Sequence, residues 1–119
     1  MIKSKIIKAI LLKLDSMKKN HRCYICRLDF RWLPKEEYLE NEELLVTGGL
    51  VDWRYQQNLG EPKERLLTRI KPLGIELLTF LKDRTDYEAM DQKASELGYG
   101  FNFQRWMGKI RQNGQVLSP

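Results

Sequence analysis

Three nitrogen- and sulfur-bearing residues that can hold a metal ion lie close together in the first quarter of the chain. His21, Cys23 and Cys26 form an H-x-C-x-x-C array. Structural zinc takes four soft ligands, and the sequence holds one histidine and two cysteines in all. A carboxylate such as Asp29, or a second subunit, would have to complete the site. A redox pair at this spacing needs a helix start and thioredoxin-like surroundings, and neither is read here. The cysteines are therefore read as small apolar side chains in a partly buried segment, and no metal or other cofactor is expected. Catalysis has as little support. His21 has no carboxylate or nucleophile at a fixed spacing, and the chain lacks a glycine-rich phosphate loop and a paired-carboxylate motif. The expectation is a protein that is not an enzyme.

Charge is the more informative chemistry. The net charge is +5. Residues 35–45 hold five glutamates against one lysine, which leaves −4 there and +9 on the rest of the chain. A basic body suits a polyanionic partner. The aromatic side chains Phe30, Trp32, Trp53, Tyr55, Phe101, Phe103 and Trp106 have two uses, stacking on single strands or filling a core. Trp53 and Trp106 lie on periodic apolar stripes and are expected in the core. Trp32 sits beside Arg31 in an irregular segment and is left open.

The elements that position these groups follow from periodicity. Residues 2–19 read as an amphipathic helix with Ile2, Ile6, Ile10, Leu14 and Met17 on one stripe. Leu11 and Leu12 lie off that stripe, which suggests a helix covered on two sides by a C-terminal helix or a second subunit, or leucines on the surface. Residues 20–34 are ambiguous between a short strand and a turn of helix at Cys23 to Leu28. A helix follows from Pro34 and Lys35 to Thr47, closed by Gly48 and Gly49. Its Tyr38, Asn41 and Leu45 share the inner face, and Glu36, Glu37, Glu40 and Glu43 the outer.

Leu50 to Tyr55 reads as a strand whose Val51, Trp53 and Tyr55 point to one buried side. Residues 58–63 make a turn, and Arg65 to Ile70 a second strand. A helix runs from Pro72 to about Lys82. Another starts at Thr85, where Thr85-Asp86-Tyr87-Glu88 has the capping-box pattern, with Tyr87, Met90, Ala94 and Leu97 as its apolar stripe. The last helix, Phe101 to Gln112, presents Phe103, Trp106, Met107 and Ile110 on one face. No apolar run reaches the roughly 18 residues of a membrane span, and no signal-peptide core is read at the N-terminus, so a cytoplasmic protein is expected.

This order, with the text Leu44-Leu45-Val46-Thr47-Gly48-Gly49-Leu50-Val51 and Ile70-Lys71-Pro72-Leu73-Gly74-Ile75-Glu76-Leu77-Leu78, resembles winged helix-turn-helix proteins across residues 2–83. The second stretch is similar to their hydrophobic-Thr-x-x-Gly-x-x-hydrophobic-hydrophobic strand-to-helix junction. The first is similar to the exit from their recognition helix. Small winged-helix families of bacteria, prophages and mobile elements, such as the YjcQ-type family, are the relatives suggested. The resemblance implies an α+β fold, a winged helix-turn-helix with a two-stranded wing and two additional C-terminal helices. Residues 1–84 would form the winged helix-turn-helix domain. Residues 85–119 would be a C-terminal helical extension packed on the same domain or on a dimer partner, with the Phe103 face against the N-terminal helix.

Two departures from the family pattern bear on stability and function. Lys71 stands where the family has Thr or Ser and cannot accept a capping hydrogen bond, which weakens that helix start by roughly 1 kcal/mol. Residues 35–47 take the recognition-helix position, yet five glutamates there would repel phosphates. The resemblance then leads to two readings. In the first, a small regulatory protein binds double-stranded DNA through its basic wing. Arg22, Arg54, Lys63, Arg65 and Arg69 would touch the backbone or the minor groove, with salt-sensitive binding of low specificity. In the second, the module is an adaptor or inhibitor that docks Glu36, Glu37, Glu40 and Glu43 on a basic protein partner without touching DNA.

Overall fold

The computed structural model describes residues 2–56, 60 and 63–116, with side chains given for all of these except 18 and 113–116. The α+β class expected from the sequence holds. Among the described residues there are five α-helices, α1 Ser4–Asp15, α2 Lys35–Thr47, α3 Pro72–Leu81, α4 Tyr87–Leu97 and α5 Phe103–Val116. Two antiparallel strands, β1 Val51–Gln56 and β2 Glu64–Ile70, form the sheet. None of the described helices is long and apolar enough to cross a membrane.

Helix α1 is the centre of the packing. It touches α2, α3, α4 and β2. That explains its second set of apolar residues: Ile7 and Leu11 are fully buried beside the expected Ile6, Ile10 and Leu14. Leu12 lies on the surface, so only one of the two off-stripe leucines is covered. The start of α1 has no cap of its own, because Lys3 offers no acceptor. Two other helices supply it. Asn41 of α2 accepts from the Lys3 backbone N–H at 2.9 Å, and Asp91 of α4 accepts from the Ser4 N–H at 2.7 Å and the Ser4 hydroxyl at 2.6 Å. Asn41 and Ser4 are both completely buried, so these bonds replace water that cannot reach the groups.

The ambiguous segment 20–34 contains both candidate elements in reduced form. Ile25 makes a single antiparallel bridge to Leu67 of β2, and Arg27–Phe30 forms a 3₁₀ turn. Helix α2 begins at Lys35, with Pro34 just before it as N-cap. It ends through Gly48 and Gly49, the latter at φ 75°, a conformation that a side chain would strain. Leu50 then accepts the Lys71 N–H at 2.9 Å and ties the end of this turn to the start of α3. Lys71 does not cap α3 with its side chain, as its chemistry dictates. Proline stands at the first turn of that helix instead.

Three expectations are corrected. The Thr85 capping box does not form; Asp86 is the N-cap of α4, and its side chain makes no capping bond. Trp53 is not in the core: it is 39% exposed and Tyr55 48% exposed. Of the described hairpin residues only Val51, Leu66 and Leu67 are buried. The Phe103, Trp106, Met107 and Ile110 face of α5 is buried as expected, but its main supports are α4 and α3 rather than α1. The Trp106 indole N–H donates to the Met90 carbonyl at 2.8 Å, and Arg111 lies over the Phe80 ring.

Candidate nucleic-acid interface

The hairpin sets the positions of four of the five arginines and lysines expected to meet DNA. Strand register pairs Val51 with Ile70, Asp52 with Arg69, Trp53 with Leu67, Arg54 with Leu66 and Tyr55 with Arg65. A bulge falls between Asp52 and Trp53, and such a bulge raises local twist. Paired residues share a face, so Arg65 stands beside Trp53 and Tyr55. Its guanidinium lies 4.9 Å from the Trp53 ring centre and 5.9 Å from that of Tyr55.

Ion pairs divide the five expected contacts into two groups. Arg65 is committed to α2: it bonds Glu43 at 2.5 Å and lies 3.6 Å from Glu42. It is the tie between the hairpin and the acidic helix, and only 17% of its side chain is exposed. Arg22 clasps Asp29 through two bonds of 2.6 and 3.1 Å. Desolvation pushes the Asp29 carboxyl up, but the bonds from Arg22 and the Cys26 N–H outweigh it and leave its pKa below the ordinary range. Arg69 pairs with Asp52 at 2.6 Å, although most of its side chain is in water. Arg54 and Lys63 are exposed and have no carboxylate partner among the described residues. The ammonium of Lys63 sits over the Tyr55 ring at 5.5 Å.

The structure adds cations that the sequence reading missed. A groove of about 840 Å³ runs between the 3₁₀ turn, α2 and the start of β2. It is lined by Arg27, Arg31, Lys35, Lys63 and Arg65, by Glu42 and Glu64, and by Leu28 and Leu39. Arg27 is used by the fold, donating to the carbonyls of Phe30 and Leu33 at 3.1 Å each. Arg31 and Lys35 are exposed and carry no ion pair among the described residues. The signal for Arg31 was weak, because residues 20–34 have no period from which a shared face is read, and Lys35 was read only as a helix start. They share the groove with Lys63 through long-range contacts, among them the Ile25–Leu67 bridge and the Arg65–Glu43 pair between β2 and α2.

The acidic helix is less free than its composition suggests. Glu37 pairs with Lys3, Glu43 with Arg65, and Glu40 also takes part in an interaction. Glu36 remains exposed in the first turn of α2, where the helix dipole favours a negative charge. Glu42 was not picked out from the sequence; it is 2% exposed and lies among Tyr38, Arg65, Glu43 and Glu64. Burial raises its carboxyl above the ordinary range, and the pull of Tyr38 and Arg65 does not cancel that.

The histidine and cysteines are not brought together as a ligand set. His21 is exposed at φ 53°, Cys23 is exposed, and Cys26 is buried. Burial raises the Cys26 thiol, which disfavours the reactive thiolate form. Among the described residues, no group of three or more His, Cys, Asp or Glu side chains is arranged to hold a metal ion. Compared with family models, curated proteins and solved structures, the chain matches none of them.

Proposed function

We propose that this chain is a winged-helix regulatory protein that binds DNA through its hairpin and the adjoining groove rim. The element order supports the winged-helix reading: α1, the Ile25 bridge as a residual first strand, the 3₁₀ turn, α2, then the hairpin. The observation that carries the function is a set of exposed cations that have no ion pair among the described residues. Arg31, Lys35 and Lys63 line a single groove, while the neighbouring glutamates of α2 are largely paired inside the protein. Arg54 is a further exposed cation, outside the groove on the opposite face of the hairpin. Arg65, by contrast, is given a structural role as the tie between wing and helix. The reading in which the acidic helix docks on a basic protein has less support, because Glu37 and Glu43 would first have to leave Lys3 and Arg65.

Four phosphate contacts through Arg31, Lys35, Arg54 and Lys63 would give a slope of log K against log salt of roughly −3 to −4 on duplex DNA. The test is anisotropy of a labelled random duplex at about 50 and about 200 mM salt. Lys63→Glu with Arg31→Glu should weaken binding and flatten the slope by about 2. No duplex binding at the lower salt would overturn the reading.

A further inference from the structure

The groove offers more than phosphate-binding charge. Its volume of about 840 Å³ is within the range of built ligand sites. Leu28 and Leu39 line it and are 56% and 41% exposed, an apolar surface that phosphates alone would not use. Arg65 forms part of the wall, and its guanidinium is backed by the rings of Trp53 and Tyr55. Nucleobases stack on arginine planes and aromatic faces of this kind. Two acidic side chains also line it: Glu64 is half-buried at its edge, whereas Glu42 is buried and out of a ligand's reach. A carboxylate accepts a hydrogen bond from an exocyclic amino group, such as that of cytosine. Thymine presents a carbonyl oxygen at the same place, which a carboxylate repels. Arg31, Lys35 and Lys63 surround these groups and suit the flanking phosphates.

We propose that this groove captures an unpaired nucleobase bearing an exocyclic amino group, with cytosine preferred over thymine. Leu28, Leu39 and the Arg65 plane hold the base, Glu64 reads its amino group, and Arg31, Lys35 and Lys63 hold the strand on either side. A base within a duplex is stacked between its neighbours and cannot enter the groove, so the ligand is a single strand or a duplex with an unpaired segment. This inference rests on the nucleic-acid reading above and names the substrate of that surface.

The test compares labelled oligo(dC) and oligo(dT) of about ten nucleotides with a blunt random duplex, all at about 50 mM salt. The wild-type protein should bind oligo(dC) at least roughly fivefold more tightly than oligo(dT). Oligo(dC) should also exceed the duplex. Glu64→Gln, with unchanged melting, should bring the ratio of oligo(dC) to oligo(dT) toward one. Lys63→Glu should weaken both single strands and leave their ratio in place. Duplex binding with no preference for oligo(dC) would overturn this inference and leave the DNA reading standing. Absence of binding to all three would overturn both. Polyglutamate binding as tightly as oligo(dC) would put an acidic polypeptide in the groove and overturn the base-capture proposal.

Discussion

Glu42 is the residue at which burial and charge conflict most directly. It lies on the inner side of α2, almost inaccessible to water, with Arg65 at 3.6 Å. Burial raises its pKa; Tyr38 and Arg65 pull it down, and Glu43 and Glu64 push it up again. The folded protein therefore holds this proton more tightly than the unfolded chain does. Its contribution to stability is fully present below the ordinary glutamate pKa of about 4.3 and is lost as pH rises through the folded value. Glu42→Gln removes the titration while keeping the shape. The stability of this variant relative to wild type, measured by urea unfolding, should shift in its favour as pH rises from about 4 to about 7. A difference that stays constant over that range would mean that Glu42 ionises without penalty.

Glycine marks where two elements must meet closely, and the same residue type elsewhere does not. A Cβ on Gly74 would lie 2.3 Å from the Leu50 carbonyl oxygen, so α3 reaches the start of β1 only because that side chain is missing. Gly108, inside α5, faces open space. Gly74→Ala should lower stability by about 1–3 kcal/mol or more through overpacking against backbone. Gly108→Ala should raise it by about 0.5–1 kcal/mol. Equal effects in thermal melts would refute the close approach at Gly74. The junction around Gly74 was legible as text, as were the buried faces of α1 and α5, because helical burial follows a local period. Trp53 was misread because alternation in a strand shows which residues share a face, not whether anything covers it. The groove was hidden for a related reason. Arg31, Lys35 and Lys63 share a groove through long-range contacts such as the Ile25–Leu67 bridge and the Arg65–Glu43 pair, and these leave no periodic trace. Thr85 has the letters of a capping box, but the helix starts one residue later than they require.

At the scale of the whole molecule, the C-terminal helices are part of the core rather than additions to it. Helix α4 reaches α1 through Asp91 and Ser4, and α5 covers α3 and α4. Phe103, Trp106, Met107 and Ile110 join the same apolar cluster as Ile7, Leu11, Leu45 and Leu67. The cluster thus runs from α5 through α1 to the root of the hairpin that carries the candidate interface. Truncating one large buried aromatic costs about 3–5 kcal/mol, and a domain has only about 5–15 kcal/mol in total. Trp106→Ala should therefore leave a folded but weakened protein, with DNA binding reduced only as far as the unfolded fraction rises. Deleting residues 99–119 removes all four side chains and should abolish cooperative thermal unfolding. The truncated chain should lose its salt-sensitive duplex binding at the same time, although Arg31, Lys35, Arg54 and Lys63 all remain in it. Cooperative melting of the truncated chain within a few degrees of full length would show that α5 is dispensable and that the hairpin is held by α1, α2 and α3 alone.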